Sequence, residues 1–242
     1  MLNSYIFTMI TGDRPAISNQ TYRTIPAENY VVRSVKSLMK NGGFAAIQDI
    51  RLYDAGSPSL EYLQPIRDLF PSIKIFSSET LLPIATNTLR AWKDALETST
   101  ADWIISAQDD IVCSKNTFKK MDTWVKNCPA NTGLLTLWFP YQRTSGPYVG
   151  YPPKLFWGNL FLILKRKVLE EFFVSKTYEV RKKMPKAMDM TVKHFFLERP
   201  EYKIYGHFPS LVEHVGETST WNPTPAKRVS LNFKGEQFIA IN

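Results

Sequence analysis

The stretch Trp103-Ile104-Ile105-Ser106-Ala107-Gln108-Asp109-Asp110-Ile111 decides how this chain folds. A short, isoleucine-rich apolar run ends in two adjacent carboxylates and resumes at Ile111 and Val112. The run is too short and too β-branched for a helix and reads as a buried strand. Two carboxylates at the carboxyl end of such a strand stand where open α/β sheets bind ligands. Their mutual repulsion calls for positive charge nearby. A divalent cation gripping a phosphate would supply it, since hard oxygen ligands suit Mg2+ or Mn2+. The plainer alternative is an exposed Asp-Asp turn that caps the next helix.

Upstream, strands and helices alternate. Tyr5-Ile6-Phe7-Thr8-Met9-Ile10-Thr11 is a nearly continuous apolar run, as expected of a strand buried on both faces. Gly12 and Pro15 stop it, which sets Arg14 at its carboxyl end, either meeting a phosphate or base or lying in a solvated loop. Residues 16–26 read as an irregular polar loop. Tyr30, Val31, Val35 and Leu38 recur at helical spacing until Asn41-Gly42-Gly43 ends the helix. Residues 49–53 form a second strand running into Asp54-Ala55-Gly56-Ser57-Pro58. Asp54 there either accepts hydrogen bonds from a base or ribose or caps the next helix, over about 60–69. Residues 73–76 form a third strand.

A helix from Ile84 through Glu97 places Asn87, Arg90 and Lys93 at spacings of three, a row aimed at the strand ends or at solvent. After the central strand, Ser114 starts a helix over 115–126. This alternation predicts an α/β fold with a mixed, mainly parallel sheet and helices on both faces. A Gly-x-Gly-x-x-Gly sequence is missing after the first strand, which argues against a dinucleotide fold, and no Walker A sequence occurs.

Downstream the character changes. Residues 133–139 read as a strand, and 140–153 as a Tyr-, Gly- and Pro-rich loop carrying Arg143, of the kind that recognises acceptors. Residues 156–164 read as a strand in which Gly158 marks a bulge or close approach. A helix follows to Phe173. The densest basic run is Arg181-Lys182-Lys183-Met184-Pro185-Lys186. Asp189 falls at an N-cap position of the next helix, which holds Val192, Phe195 and Phe196. Residues 202–205 form a late strand. His214, between valines and before a glycine, is either a satisfied core residue or, if it reaches Asp110, the nitrogen ligand of a mixed site.

The 242 residues, 44% hydrophobic and 13% aromatic, suffice for one large α/β domain. We read residues 1–242 as that domain, with a donor-nucleotide half over about 1–130 and an acceptor half over about 131–242. No apolar run is long enough to predict a transmembrane helix. The amino terminus lacks the basic start and cleavage site of a signal peptide. Cys113 reads as core and Cys128 as a helix-end thiol, so neither a disulfide framework nor a zinc site is expected. These features fit a reducing cytoplasm. The net charge of +8 and pI near 9.4 favour an anionic partner, or reflect ordinary surface basicity.

The ordered set is Thr11-x-x-Arg14-Pro15, Asp54-Ala55-Gly56-Ser57, the Asn87/Arg90 helix, Gln108-Asp109-Asp110-Ile111, Trp157-Gly158-Asn159, Asp189 and Pro209-Ser210-Leu211-Val212-x-His214-Val215-Gly216. It resembles a GT-A (Rossmann-like) nucleotide-sugar glycosyltransferase over about residues 5–219. The closing His motif and the Asp-Asp-Ile are similar to the N-acetylglucosaminyltransferase IV family. The compact, basic chain also resembles bacteriophage enzymes that glycosylate hydroxymethylated pyrimidines in DNA, which implies a host-cell cytoplasm.

That resemblance implies Asp110 and His214 holding Mn2+ or Mg2+ on a UDP-sugar diphosphate, with Thr11, Arg14, Asp54, Arg90 and Asp109 around the uridine, ribose and phosphates. Asp189 would be the catalytic base of an inverting transfer. The sugar would be a hexose, glucose first among them, and the enzyme a monomer without a membrane partner. Arg143, Arg181, Lys182, Lys183 and Lys186 would contact the phosphates of double-stranded DNA carrying hydroxymethylated bases. Gln108 departs from the pattern, standing where an acidic residue is usual.

Overall fold

A computed structural model of the chain describes residues 4–12, 29–43, 47, 49–140, 146–183 and 187–215. In chain order the first half comprises β1 (Tyr5–Thr11), α1 (Tyr30–Ser37) with a π-helical turn at Leu38–Gly42, and β2 (Asp49–Asp54). A 3-10 turn at Glu61–Leu63 then leads into α2 (Gln64–Leu69), β3 (Lys74–Phe76), α3 (Ile84–Thr98) and β4 (Trp103–Gln108). Next come β5 (Ile111–Cys113), α4 (Thr117–Lys126), β6 (Thr132–Thr136), β7 (Val149–Gly150) and a 3-10 turn at Pro153–Leu155. The remainder is β8 (Phe161–Lys165), α5 (Arg166–Phe173), α6 (Lys176–Arg181), α7 (Met188–Glu198), β9 (Lys203–Gly206) and β10 (Val212–His214).

Eight strands form one sheet in the order β3-β2-β1-β4-β8-β6-β9-β7. The pairs β1/β2, β1/β4, β2/β3 and β6/β9 are parallel, while β8 runs against both β4 and β6, and β7 against β9. Two reversals across β8 cancel, so β6 and β9 point the same way as β1 to β4. All six therefore end at one carboxyl edge.

The apolar runs are continuous because both faces of the sheet are covered. In β1, Phe7 and Met9 face one cluster with α1 and α4, while Ile6 faces a second with α3, α5 and α7. In β4, Ile105 and Ala107 join the first cluster and Ile104 the second. Each fully buried large side chain of this kind contributes about 1.5–3 kcal/mol. Among the described residues no helix is long and apolar enough to cross a membrane.

Three sequence expectations are corrected. The strand expected over 133–139 leaves the ladder after Thr136. Leu137 N still donates to Phe161 O at 3.3 Å, but beyond it the chain bonds the late segment, with Leu211 N donating to Leu137 O at 2.9 Å and Phe139 N to Ser210 Oγ at 2.9 Å. The strand expected from Phe156 begins only at Phe161. Asp189 is not an N-cap: Ala187 holds that position, and Asp189 lies inside the first turn of α7.

Candidate functional site

The site grows from the carboxyl end of β4. There the chain turns through Asp109 and Asp110 and leaves the main sheet as β5, which pairs antiparallel with β10. His214 stands opposite Ile111, and Val215 N closes the ladder on Asp110 O at 2.9 Å. This register delivers the imidazole to the carboxylate, with His214 Nε2 3.1 Å from Asp110 Oδ2. Their side chains are 13% and 7% exposed, so the pair is sheltered yet within reach of solvent.

Asp109 turns the other way, into the protein. Its carboxylate accepts from Thr11 Oγ1 at 2.8 Å, which ties the ends of β1 and β4 together. Ser34 of α1 braces the turn between them. Its hydroxyl lies 2.6 Å from Asp109 O and 2.8 Å from Ile111 O, and accepts from Ile111 N at 2.9 Å. One turn along α1, Ser37 Oγ accepts from Cys113 N at 2.8 Å. Ser34, Ser37 and Glu213 were not singled out from the sequence. A signal existed for the serines: both fall on the apolar face of α1, where a small polar group is out of place unless it meets backbone.

At the end of β2, Asp54 is 0% exposed. Its carboxylate accepts from Gly56 N, Ser57 N, Ser57 Oγ, Tyr62 Oη and Ser77 Oγ, all between 2.5 and 2.9 Å. Burial alone would push its pKa up, but the bonds from Ser57, Tyr62 and Ser77 outweigh it and hold the pKa below the ordinary carboxylate value. Asp54 thus organises its turn from inside. At Gly56, φ is +97° and an added Cβ would lie 2.3 Å from the Thr80 carbonyl oxygen, so only glycine fits. Asn87 and Arg90 do aim at the strand ends. Asn87 Nδ2 donates to Tyr53 O at 2.8 Å, and Arg90 Nη2 to Asp54 O at 3.2 Å and Phe76 O at 3.1 Å. The Arg90 guanidinium also lies 5.6 Å from the centre of the Tyr53 ring. Lys93 instead faces solvent, 3.7 Å from Glu97.

The 156–160 loop closes on the same edge. Gln108 Nε2 donates to Asn159 Oδ1 at 2.9 Å, so the neutral amide ties β4 to the loop after Gly158. Trp157 packs on Trp138 with ring centres 5.3 Å apart. Trp138 Nε1 donates to Glu213 Oε1 at 3.4 Å, and that oxygen also accepts from His214 N at 2.9 Å. A buried carboxylate therefore stands directly behind the histidine.

Asp110, His214, Asp109 and Thr11 come together at this edge; Asp54, Arg90 and Asp189 make their own contacts elsewhere. Asp189 Oδ1 accepts from Met190 N at 2.8 Å. Because α7 leads into β9, it runs against that strand, and its first turn points toward the shared carboxyl edge. Arg181 Nη2 donates to His194 Nδ1 at 2.8 Å, and Lys182 Nζ pairs with Glu179 at 2.6 Å. Lys183 is exposed. Arg14, Arg143 and Lys186 lie outside the described residues.

The 3.1 Å separation is that of a direct hydrogen bond, and it is also compatible with two ligands of one divalent cation. Two ligand atoms at right angles about Mg2+, each about 2.1 Å away, stand roughly 3 Å apart, and the Asp110–His214 pair has that separation. Among the described residues no group of three or more His, Cys, Asp or Glu side chains converges. A cation here would complete its shell with diphosphate and water oxygens, as Mg2+ commonly does.

No protein-family model and no curated protein matches the chain. Solved structures do. GalNAc-T7, solved with UDP, GalNAc and Mn2+, is 13% identical with a TM-score of 0.60, over 93% of this chain and 46% of that one. TarS of S. aureus is 11% identical with a TM-score of 0.57, over 88% and 37%. A nucleotidyl transferase from Methanothermobacter thermautotroptrophicus is 10% identical with a TM-score of 0.54, over 85% and 87%. This chain thus spans less than half the length of the first two. At such identities the likeness is one of fold: an α/β sheet of the GT-A and nucleotidyltransferase kind.

Proposed function

We propose that this chain transfers a hexose, with glucose the first expectation, from a UDP-sugar to a hydroxyl acceptor, and that the acceptor is 5-hydroxymethylpyrimidine in duplex DNA. The observation that carries the reading is the Asp110–His214 pair at the carboxyl edge, beside the Thr11–Asp109 contact. GalNAc-T7, which shares the fold, was solved with UDP and Mn2+.

In this mechanism Asp110 and His214 would hold Mn2+ or Mg2+, which would supply Lewis-acid neutralisation of the charge that develops on the departing diphosphate. Asp109 and Thr11 set the end of β1, and Arg14, outside the described residues, is assigned to the phosphates. Asp54 and Arg90 shape the wall against the uridine, the former through its turn and the latter through the strand-end carbonyls. Asp189 accepts the proton of the acceptor hydroxyl as its oxygen attacks the anomeric carbon. The new C–O bond forms as the C–O bond to the diphosphate breaks, the electron pair leaving with UDP. Such an in-line displacement inverts the anomeric centre. Lys183, with Arg181, Lys182, Lys186 and Arg143, meets DNA phosphates.

The test is to incubate the protein with several UDP-sugars and with hydroxymethylated or plain duplex DNA, with and without Mn2+, and to weigh the products. A hexose-sized mass gain on hydroxymethylated DNA alone is expected. Transfer to an oligosaccharide or lipopolysaccharide and to neither DNA would move the acceptor to a glycan. A second reading, nucleotidyl transfer, is favoured by the likeness to the archaeal nucleotidyl transferase over 87% of its length. The chain has no Gly-rich loop after β1, which sets this reading below the first. Release of pyrophosphate from a nucleoside triphosphate and a sugar phosphate would establish it.

A further inference from the structure

A groove of about 560 Å³ runs along the outer face of α4. One wall is a helical row: Asn116, Lys119, Lys120, Thr123 and Asn127. Pro147, Tyr148 and His207 face it, and Trp124 lies between.

We propose that this groove binds a single strand of nucleic acid, gripping phosphates with Lys119 and Lys120 and packing sugars and bases against its aromatic wall. As an account of acceptor docking it rests on the transferase reading; as a binding site it rests on the groove alone.

Four observations carry the inference. First, the lining holds two lysines and no carboxylate, and neither lysine takes part in an ion pair among the described residues. Unneutralised cations along a cleft draw an anion. Second, the aromatic wall is braced. Tyr148 and Trp124 stack with ring centres 5.5 Å apart, His207 meets Trp124 edge-on at 5.1 Å, and the Tyr148 hydroxyl donates to Trp124 O. His207 Nδ1 is held by Pro209 O at 2.7 Å. A rigid surface of this kind takes flat rings with little ordering cost. Third, Trp124 is 3% exposed and backs the wall from the core, so the half-buried Tyr148 and His207 present its open rings. Asn116, Thr123 and Asn127 add polar groups along the wall, suited to sugar and phosphate oxygens. Fourth, the volume of about 560 Å³ is of the size of one or two nucleotide units.

Position links the groove to the site. His207 follows β9 at the carboxyl edge, and His214 is only seven positions further along the chain. A fully extended segment of that length spans about 25 Å at most, a reach of several nucleotides. A strand lying in the groove could therefore present a neighbouring base, extruded from its duplex, to the Asp110 edge.

Fluorescence anisotropy of a labelled oligothymidylate of about a dozen nucleotides tests the groove. The double variant Lys119→Ala/Lys120→Ala should bind about tenfold or more weakly, and its salt slope should fall by about 1.4, two phosphates at about 0.7 each. Thr123→Trp keeps every charge but fills the groove, and should weaken binding comparably. The charge-matched control Lys93→Ala/Lys167→Ala, on α3 and α5 across the sheet, should stay within about twofold. All three should bind UDP as the native chain does. Equal losses in the groove and control doubles, or native binding by Thr123→Trp, would overturn the groove. So would tight, lysine-dependent binding of a sulfated oligosaccharide without binding of the strand. Failure of sugar transfer with strand binding intact would remove the transferase reading and leave the groove standing.

Discussion

His214 Nε2 lies 3.1 Å from Asp110 Oδ2, although the two are 104 positions apart in sequence. The contact is imposed by backbone: β10 pairs with β5 so that His214 faces Ile111, the residue after Asp110. Loss of either side chain should then remove metal-dependent nucleotide binding without unfolding the sheet. Asp110→Asn and His214→Ala are each expected to weaken UDP binding in Mn2+ by about 10–100-fold, read by calorimetry. EDTA should weaken the native protein as far and leave the variants unchanged. Native UDP affinity that ignores metal would defeat the cation assignment.

Asp189 has a different expected signature. Its carboxylate is half-buried in the first turn of α7 and contacts no member of the Asp110 cluster. A base that acts only on the acceptor should matter to kcat and not to donor affinity. Asp189→Asn should lower the transfer rate by about 100-fold or more, with UDP-sugar binding within a factor of about two. Full activity in that variant would take Asp189 out of the mechanism.

The first half of the fold was legible because its signals are local. β1 and β4 are each a nearly continuous apolar run ending in a polar turn, as burial on both faces requires, and β2 ends in the same kind of turn although Arg51, paired with Asp49 and Asp94, interrupts its run. The second half was not, because apolar character reports burial and not which backbone a segment pairs with. Leu137, Trp138 and Phe139 are as buried as β6, but Leu137 bonds Leu211, Phe139 bonds Ser210 and Trp138 bonds Glu213. The 156–160 loop is aromatic because Trp157 and Phe156 pack on Trp138 and Tyr151, not because it is a strand. At the site, the two carboxylates stood out as a pair, yet only the fold separates them, Asp109 inward to Thr11 and Asp110 outward to His214. His214 and Asp54 each carried two readings, because both were decided by contacts that spacing along the chain does not encode.

Asp54 makes a stability prediction. Its folded-state pKa is lowered, so ionisation favours the folded protein. That contribution is fully present above the unfolded value, about 3.9, and is lost as pH falls through the lower folded value. At neutral pH, Asp54→Asn turns an amide toward a set of donors and should cost about 2–3 kcal/mol. Urea unfolding should show the native protein losing stability below about pH 4 and the gap to the variant narrowing there. A gap that stays constant from neutral to acid pH would mean that the charge of Asp54 contributes nothing.

Gly158 offers the sharpest separation of two effects. Its φ is +82°, and an added Cβ would stand 2.6 Å from the Trp138 ring. Gly43 has a similar φ, +74°, but among the described residues nothing lies within 4 Å of its would-be Cβ. Gly43→Ala therefore reports backbone strain alone, about 1 kcal/mol. Gly158→Ala adds a clash with an indole that has little room to move, since Trp138 is buried, packed on Trp157 and bonded to Glu213. Its cost should reach about 2–4 kcal/mol. Glu213 also accepts from His214 N, so displacing Trp138 should disturb the histidine as well. Gly158→Ala should then weaken Mn2+-dependent UDP binding severalfold, although Gly158 has no contact with Asp110 or His214. Equal costs for the two glycine variants, with UDP binding intact in both, would show that Trp138 yields freely and does not brace the histidine.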